Sequence, residues 1–208
     1  MNKLGDLSCN EFLTELASAA PGGGGGAAMA GALAAALASM VANLTIGKEK
    51  FADREPEVKE LLEQAEAERV RLLTLVDEDA AVFNSFMSCY KLPKTTDEEK
   101  VARTAAIRAA AKQAATVPLN IARSSFAVLK LADRLVVAGN PGVITDGACS
   151  GLLARAALRC AEYNVRINLG LTKDEAWNAQ ATADLKQLLA DAEALETRLL
   201  AVTDKALQ

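Results

Sequence analysis

Between Pro21 and Lys48 the chain carries no charged side chain: the glycines Gly22 to Gly26 lead into Ala27-Ala28-Met29-Ala30-Gly31, then a run of Ala, Leu and Ser that closes at Ile46-Gly47. This stretch limits the fold more than any other. Consecutive glycines lose much conformational entropy on ordering, so a folded chain keeps them where backbone turns sharply or approaches something closely. The residues that follow form a helix of small side chains. Ala27, Gly31 and Ala35 recur at four-residue spacing, with Ala30, Ala34, Ala38 and Ala42 in an adjacent row, so neighbouring backbones can come near. The first N–H groups of such a helix lack internal partners and sit at the positive end of its dipole, which suits an anionic or polar ligand. The run is long enough to cross a bilayer, yet Ala and Gly drive insertion weakly, and the expectation is a buried helix at the centre of a bundle rather than a membrane span.

Composition supports helix and removes several chemistries. Aromatic residues make up 4% of the chain, prolines number five, and no strand-like alternation bounded by turns occurs, so the fold class is all-α. A length of 208 residues fits one domain over 1–208. A net charge of −4 without blocks of like charge gives no pull toward nucleic acid or an anionic membrane. Histidine is absent, which excludes every His-dependent triad and the usual zinc sites, and no metal site is expected. Cys9, Cys89, Cys149 and Cys160 are far apart with no C-x-x-C and read as buried, reduced thiols. No signal-peptide hydrophobic region precedes Asp6, so a cytoplasmic location is expected. The glycines follow no strand and no G-K-[ST] follows them, which removes the dinucleotide fingerprint and the P-loop.

In chain order, Ser8-Cys9-Asn10-Glu11 is a capping box for a first helix running to about Ala19. Asn43 and Thr45 lie near the end of the small-residue helix, where burial demands a partner or a ligand, and Lys48 follows. Glu55-Pro56 opens a long helix to about Tyr90. In it Leu72, Val76, Asp79, Phe83 and Phe86 recur at steps of 4, 3, 4 and 3, so Asp79 lies on the apolar stripe. A carboxylate there is paired, hydrogen-bonded or protonated, with a perturbed pKa; it is either a structural acceptor or a functional group. Asp77 is two positions away.

Thr96-Asp97-Glu98-Glu99 is a second capping box, and Pro118 kinks or restarts the helix it opens. Gly139-Asn140-Pro141-Gly142 is a stop and turn, after which Thr145-Asp146-Gly147 opens a helix carrying Asn164 and Asn168 on one face. Gly170 is the expected end of that helix, and Thr172-Lys173-Asp174-Glu175 the cap of the last one. There Leu185, Leu188, Ala192, Leu195, Leu199 and Val202 form a coiled-coil-like seam, within the bundle or between subunits.

These pieces, in this order, resemble the cyclodeaminase and methenyltetrahydrofolate cyclohydrolase family. They are Pro21-Gly22-Gly23-Gly24, Met40 to Lys48, Asp77-Glu78-Asp79 with Ala81 and Phe83-Asn84, Leu92-Pro93-Lys94, Val117-Pro118-Leu119, Gly139-Asn140, Thr145-Asp146 and Asn164 to Leu169. Thr145 stands where the family more often has Ser, and five glycines stand where many members have three. The resemblance implies an all-helical homodimer acting on a tetrahydrofolate derivative as substrate, with no tightly bound cofactor. It implies hydrolysis of 5,10-methenyltetrahydrofolate to 10-formyltetrahydrofolate or, alternatively, closure of 5-formiminotetrahydrofolate with loss of ammonia. Asp79, Asp77, Asp146 and Lys48 are the implied catalytic residues. Gly22, Gly23, Gly24, Asn43, Thr45, Asn140, Asn164 and Asn168 are the implied substrate-binding ones. A non-catalytic helical dimerisation or binding module is the competing class.

Overall fold

The computed structural model describes residues 4–18 and 23–208, and every regular element among them is helical. The main helices are α1 (Cys9–Leu16), α2 (Gly23–Asn43), α3 (Glu55–Cys89), α4 (Asp97–Ala138), α5 (Ile144–Thr172) and α6 (Glu175–Ala206). Pro21 and Gly22 lie outside the described residues. Both capping boxes form: the Ser8 hydroxyl accepts from the Glu11 N–H and Thr96 from Glu99, while each glutamate accepts from its cap residue's N–H.

Cross-helix contacts fix an up-and-down order. Ser39 on α2 hydrogen-bonds Glu66 and Gly25 bonds Asp79, so α3 runs antiparallel to α2. Arg134 pairs with Glu57, reversing α4 again; Asn168 donates to the Ala114 carbonyl while Val136 packs at Gly147, reversing α5. Asp174 with Lys112 and Arg198 with Asp133 set α6 parallel to α4. Leu72, Val76, Ala122, Leu129, Leu158 and Leu199 have no exposed surface and join these helices into one apolar cluster. A smaller cluster, with Val41, Leu61 and Leu135, surrounds the C-terminal end of α2. Close packing at α2 depends on its small residues: a Cβ at Gly31 would lie 3.0 Å from both Leu72 and the Ser125 hydroxyl. By length and hydropathy α2 passes as a membrane span, but 61% of that window is buried against the other helices.

Several local expectations change. Pro118 interrupts nothing, because α4 is continuous from Asp97 to Ala138. The carbonyl of Ala114, which proline cannot satisfy, accepts instead from the Asn168 amide at 3.0 Å. Helix α5 passes through Gly170 and ends after Thr172, where Lys173 takes the left-handed conformation at φ 55°. The cap of α6 is Asp174, whose carboxylate accepts from the Trp177 N–H; the Thr172 hydroxyl donates to Asn178 instead. The seam on α6 faces its own chain, with Leu185, Ala192 and Leu199 buried in the core. The cysteines are unpaired as expected but not buried: Cys9, Cys149 and Cys160 are exposed, the last two because they sit on an outward stripe of α5.

Candidate active site

At one end of the bundle the start of α2, the last turns of α3 and the last turns of α5 enclose a cleft of about 360 Å3. That lies within the size range of small-molecule sites. From α2 come Gly23 and Gly24, and from α3 Asp79, Val82, Phe83 and Phe86. Ala114 and Pro118 of α4 line it as well, with Asn164, Ile167, Asn168 and Leu171 of α5. The walls are mostly apolar, with one carboxylate and two amides converging among them.

Asp79 is positioned by the apolar stripe that carries it. Leu72 and Val76 are buried below it and Phe83 and Phe86 continue the stripe above, so the carboxyl is held at the inner wall of the cleft. Its Oδ2 accepts from the Gly25 N–H at 2.9 Å, one of the orphan donors at the start of α2. Burial pushes the Asp79 carboxyl above the usual carboxylate range, and the Gly25 N–H opposes this only in part. The glycines leave room for that contact, because a side chain at Gly24 would collide with the carboxylate.

Asn164 and Asn168 share the facing wall. The Asn164 Nδ2 donates to the Cys160 carbonyl at 2.9 Å, and the Asn168 Nδ2 donates to the carbonyls of Ala114 and Asn164 at 3.0 and 2.8 Å. Both amide nitrogens are therefore held by backbone, and the amide oxygens are the atoms left to accept from a ligand. The arrangement offers a proton-exchanging acid, two acceptors and aromatic surface for a planar ring.

The other residues singled out in the sequence are elsewhere in the chain. Asp77 projects away from the cleft and accepts from the Gly5 N–H at 3.2 Å, fastening the N-terminal turn Leu4–Asp6 to α3. Asn43, Thr45 and Lys48 lie at the opposite end of α2, about 30 Å from Gly23 by helix rise. Thr45 is a buried structural group: its hydroxyl donates to the Val41 carbonyl at 2.7 Å and accepts from the Asn140 N–H at 2.8 Å. Asn140 completes that corner, donating to the Leu44 carbonyl and accepting from the Gly142 N–H. Asp146 is in the first turn of α5, at the far end of that helix from Asn164. Asn43 and Lys48 are exposed. Gly22 is outside the described residues.

Phe83, Phe86, Ile167 and Leu171 were legible as apolar positions but not as cleft wall. One signal pointed there: Phe83 sits one turn beyond Asp79, and Ile167 lies between the two asparagines.

Comparison with known proteins identifies the family. Residues 8–187 match the family described as formiminotransferase-cyclodeaminase. A methenyltetrahydrofolate cyclohydrolase of Methylorubrum extorquens is 44% identical over 197 residues, covering 94% of this chain and 95% of that protein. The formimidoyltransferase-cyclodeaminase of Sus scrofa is 35% identical over 84% of this chain, which spans only 32% of that longer protein. The crystal structure of formiminotetrahydrofolate cyclodeaminase from Thermotoga maritima superposes with a TM-score of 0.87 at 29% identity, covering 98% of each chain. The chain belongs to the formiminotransferase-cyclodeaminase family.

Proposed function

We propose that this chain is a one-carbon tetrahydrofolate enzyme that hydrolyses 5,10-methenyltetrahydrofolate to 10-formyltetrahydrofolate. The observation that carries this reading is the half-buried Asp79 carboxyl at the cleft wall, in a chain that matches a cyclohydrolase over nearly its whole length. The substrate is an amidinium cation whose bridging carbon joins N5 and N10. Asp79 as carboxylate takes a proton from water as the water oxygen bonds to that carbon. It then gives that proton to N5 as the carbon–N5 bond breaks, while the hydroxyl proton of the tetrahedral carbon leaves to solvent as its C=O forms. The formyl group stays on N10, and the cationic substrate yields a neutral product and one released proton. A carboxyl held above its usual range can release and regain a proton nearer neutrality than an ordinary one. The oxygens of Asn164 and Asn168 accept from N–H groups of the pterin, and Phe83 stacks on its ring. The reaction so written uses no metal and no tightly bound cofactor.

Formiminotetrahydrofolate cyclodeaminase activity is the second reading, favoured by the likeness to the Thermotoga maritima enzyme. It uses the same tetrahedral carbon with ammonia as leaving group. We also read the chain as half of a homodimer built around α2, whose outward side is uncharged. The test is a side-by-side assay following methenyl absorbance. An absorbance that falls faster than in buffer identifies the hydrolase, and a rise from 5-formiminotetrahydrofolate identifies the cyclodeaminase. No change with either substrate overturns both and leaves a non-catalytic bundle.

A further inference from the structure

Helices α2 and α5 lie side by side and antiparallel, since Asn164 lies at Gly23 while the Ser150 hydroxyl donates to the Ala34 carbonyl at 2.7 Å. Each turns an apolar stripe outward. On α2 it is Gly26, over which Leu16 of α1 packs, then Ala30, Leu33, Leu37, Met40 and Leu44, all within about 40° of one line at 100° per residue. On α5 it is Cys149, Leu152, Ala156, Cys160, Tyr163 and Ile167, equally uncharged, with Ile167 74% and Tyr163 57% exposed. The α2 stripe is about 27 Å long and the helix pair about 20 Å wide, so two copies face to face bury about 1,000 Å2. That reaches the size of a specific interface, and the occupant of this face is a second copy of the chain.

The stripe also fixes the direction. Its residues are small toward the start of α2 and large toward its end. A two-fold axis at the level of Ala35 sets Ala30 against the partner's Met40, Leu33 against the partner's Leu37, and Leu16, which covers Gly26, toward the partner's Leu44. The small Ala30 then meets the large Met40 on either side of a central Leu33–Leu37 pair, as close packing favours. The parallel alternative sets Ala30 on the partner's Ala30 and Met40 on the partner's Met40, leaving a gap at one level and crowding at the other.

The antiparallel pairing brings the level of Gly23 to the level of the partner's Gly47. The cleft, one of whose walls includes the stripe residue Ile167, contains the Asp79 carboxylate and no lysine or arginine among the described residues. Lys48 is exposed and has no ion-pair partner among the described residues. Thr45 and Asn140 pin the corner from which it projects. We infer that the active site is composite: Asn43 and Lys48 of each chain complete the cleft of the other, Lys48 supplying the cation that the cleft lacks within one chain and Asn43 a third amide beside Asn164 and Asn168. This deepens the proposed function and rests on its Asp79 cleft.

Two measurements test it. In the first, Asp79→Asn and Lys48→Ala chains carrying different tags are co-expressed. Each homodimer should be impaired, Lys48→Ala by about 10-fold or more. A mixed dimer contains one site with both changes and one with neither, so a randomly assorted 1:1 population should recover about a quarter of wild-type activity. Purified mixed dimer with no recovered activity, or an unimpaired Lys48→Ala enzyme, overturns the inference. The second needs no folate chemistry, so it stands if the proposed activity fails. In chains whose native cysteines are serine, a short bis-maleimide is applied to a mixture of Lys48→Cys and Ile167→Cys chains. Cross-links between the two kinds of chain are expected. Like-with-like cross-links, or a monomer in solution, overturn it.

Discussion

Gly24 and Asp79 occupy one another's space: the carboxylate fits against α2 only because position 24 has no side chain, and the next N–H, that of Gly25, then bonds it at 2.9 Å. Gly24→Ala should drive the carboxyl from its seat while leaving the helix intact, since alanine is a better helix former than glycine. Turnover should fall by about 100-fold, in the range for loss of acid–base catalysis, with circular dichroism unchanged. Wild-type turnover in the folded variant contradicts the role given to this contact.

Asp79 also ties stability to pH. Its folded carboxyl lies above the ordinary value, so the proton is held more tightly folded than unfolded. The stabilisation is fully present below the ordinary carboxylate value of about 4 and is lost as pH rises through the raised folded value. Asp79→Asn removes this dependence. The Tm of the variant should therefore gain on wild type as pH climbs from 4 toward 8; a variant-minus-wild-type difference that stays flat or falls contradicts the assignment.

Asn168 and Pro118 form a compensated pair, because the amide serves the Ala114 carbonyl that proline leaves open. Asn168→Leu should destabilise by about 1 kcal/mol, the low end of the penalty for an unpaired acceptor, since this carbonyl is only part-buried. In a Pro118→Ala background, position 118 again donates, so the same change should be milder. A double-mutant cycle by urea unfolding reads this; strict additivity refutes the coupling.

Thr45 is predicted to act on stability. Thr45→Val keeps the shape but leaves the Asn140 N–H without its acceptor, and the urea midpoint should fall by an amount equivalent to about 1–3 kcal/mol. An unchanged midpoint would remove the corner from the account.

The sequence displayed the parts of the site that lie on single helices. The 4, 3, 4, 3 spacing around Asp79 put a carboxylate on an apolar stripe, and the spacing of Asn164 and Asn168 put two amides on one face; both meet in the cleft. What it did not display is which end of one helix meets which end of another. Asn43, Thr45 and Lys48 follow the glycine run closely in sequence, yet a helix separates them by its whole length. Asp77 is two residues from Asp79, but that turn points it to Gly5 instead. The uninterrupted course of α4 was equally hidden, because the group that satisfies Ala114 comes from a residue 54 positions away.

The claim on which the rest depends is that Asp79 exchanges the proton at the bridging carbon, and the direct measurement is the decay of methenyltetrahydrofolate absorbance with wild-type and Asp79→Asn protein at equal folded concentration. The account predicts rapid hydrolysis by the wild type and a rate lower by about 10²- to 10⁴-fold in the variant. A folded Asp79→Asn protein that hydrolyses the substrate at the wild-type rate would contradict it.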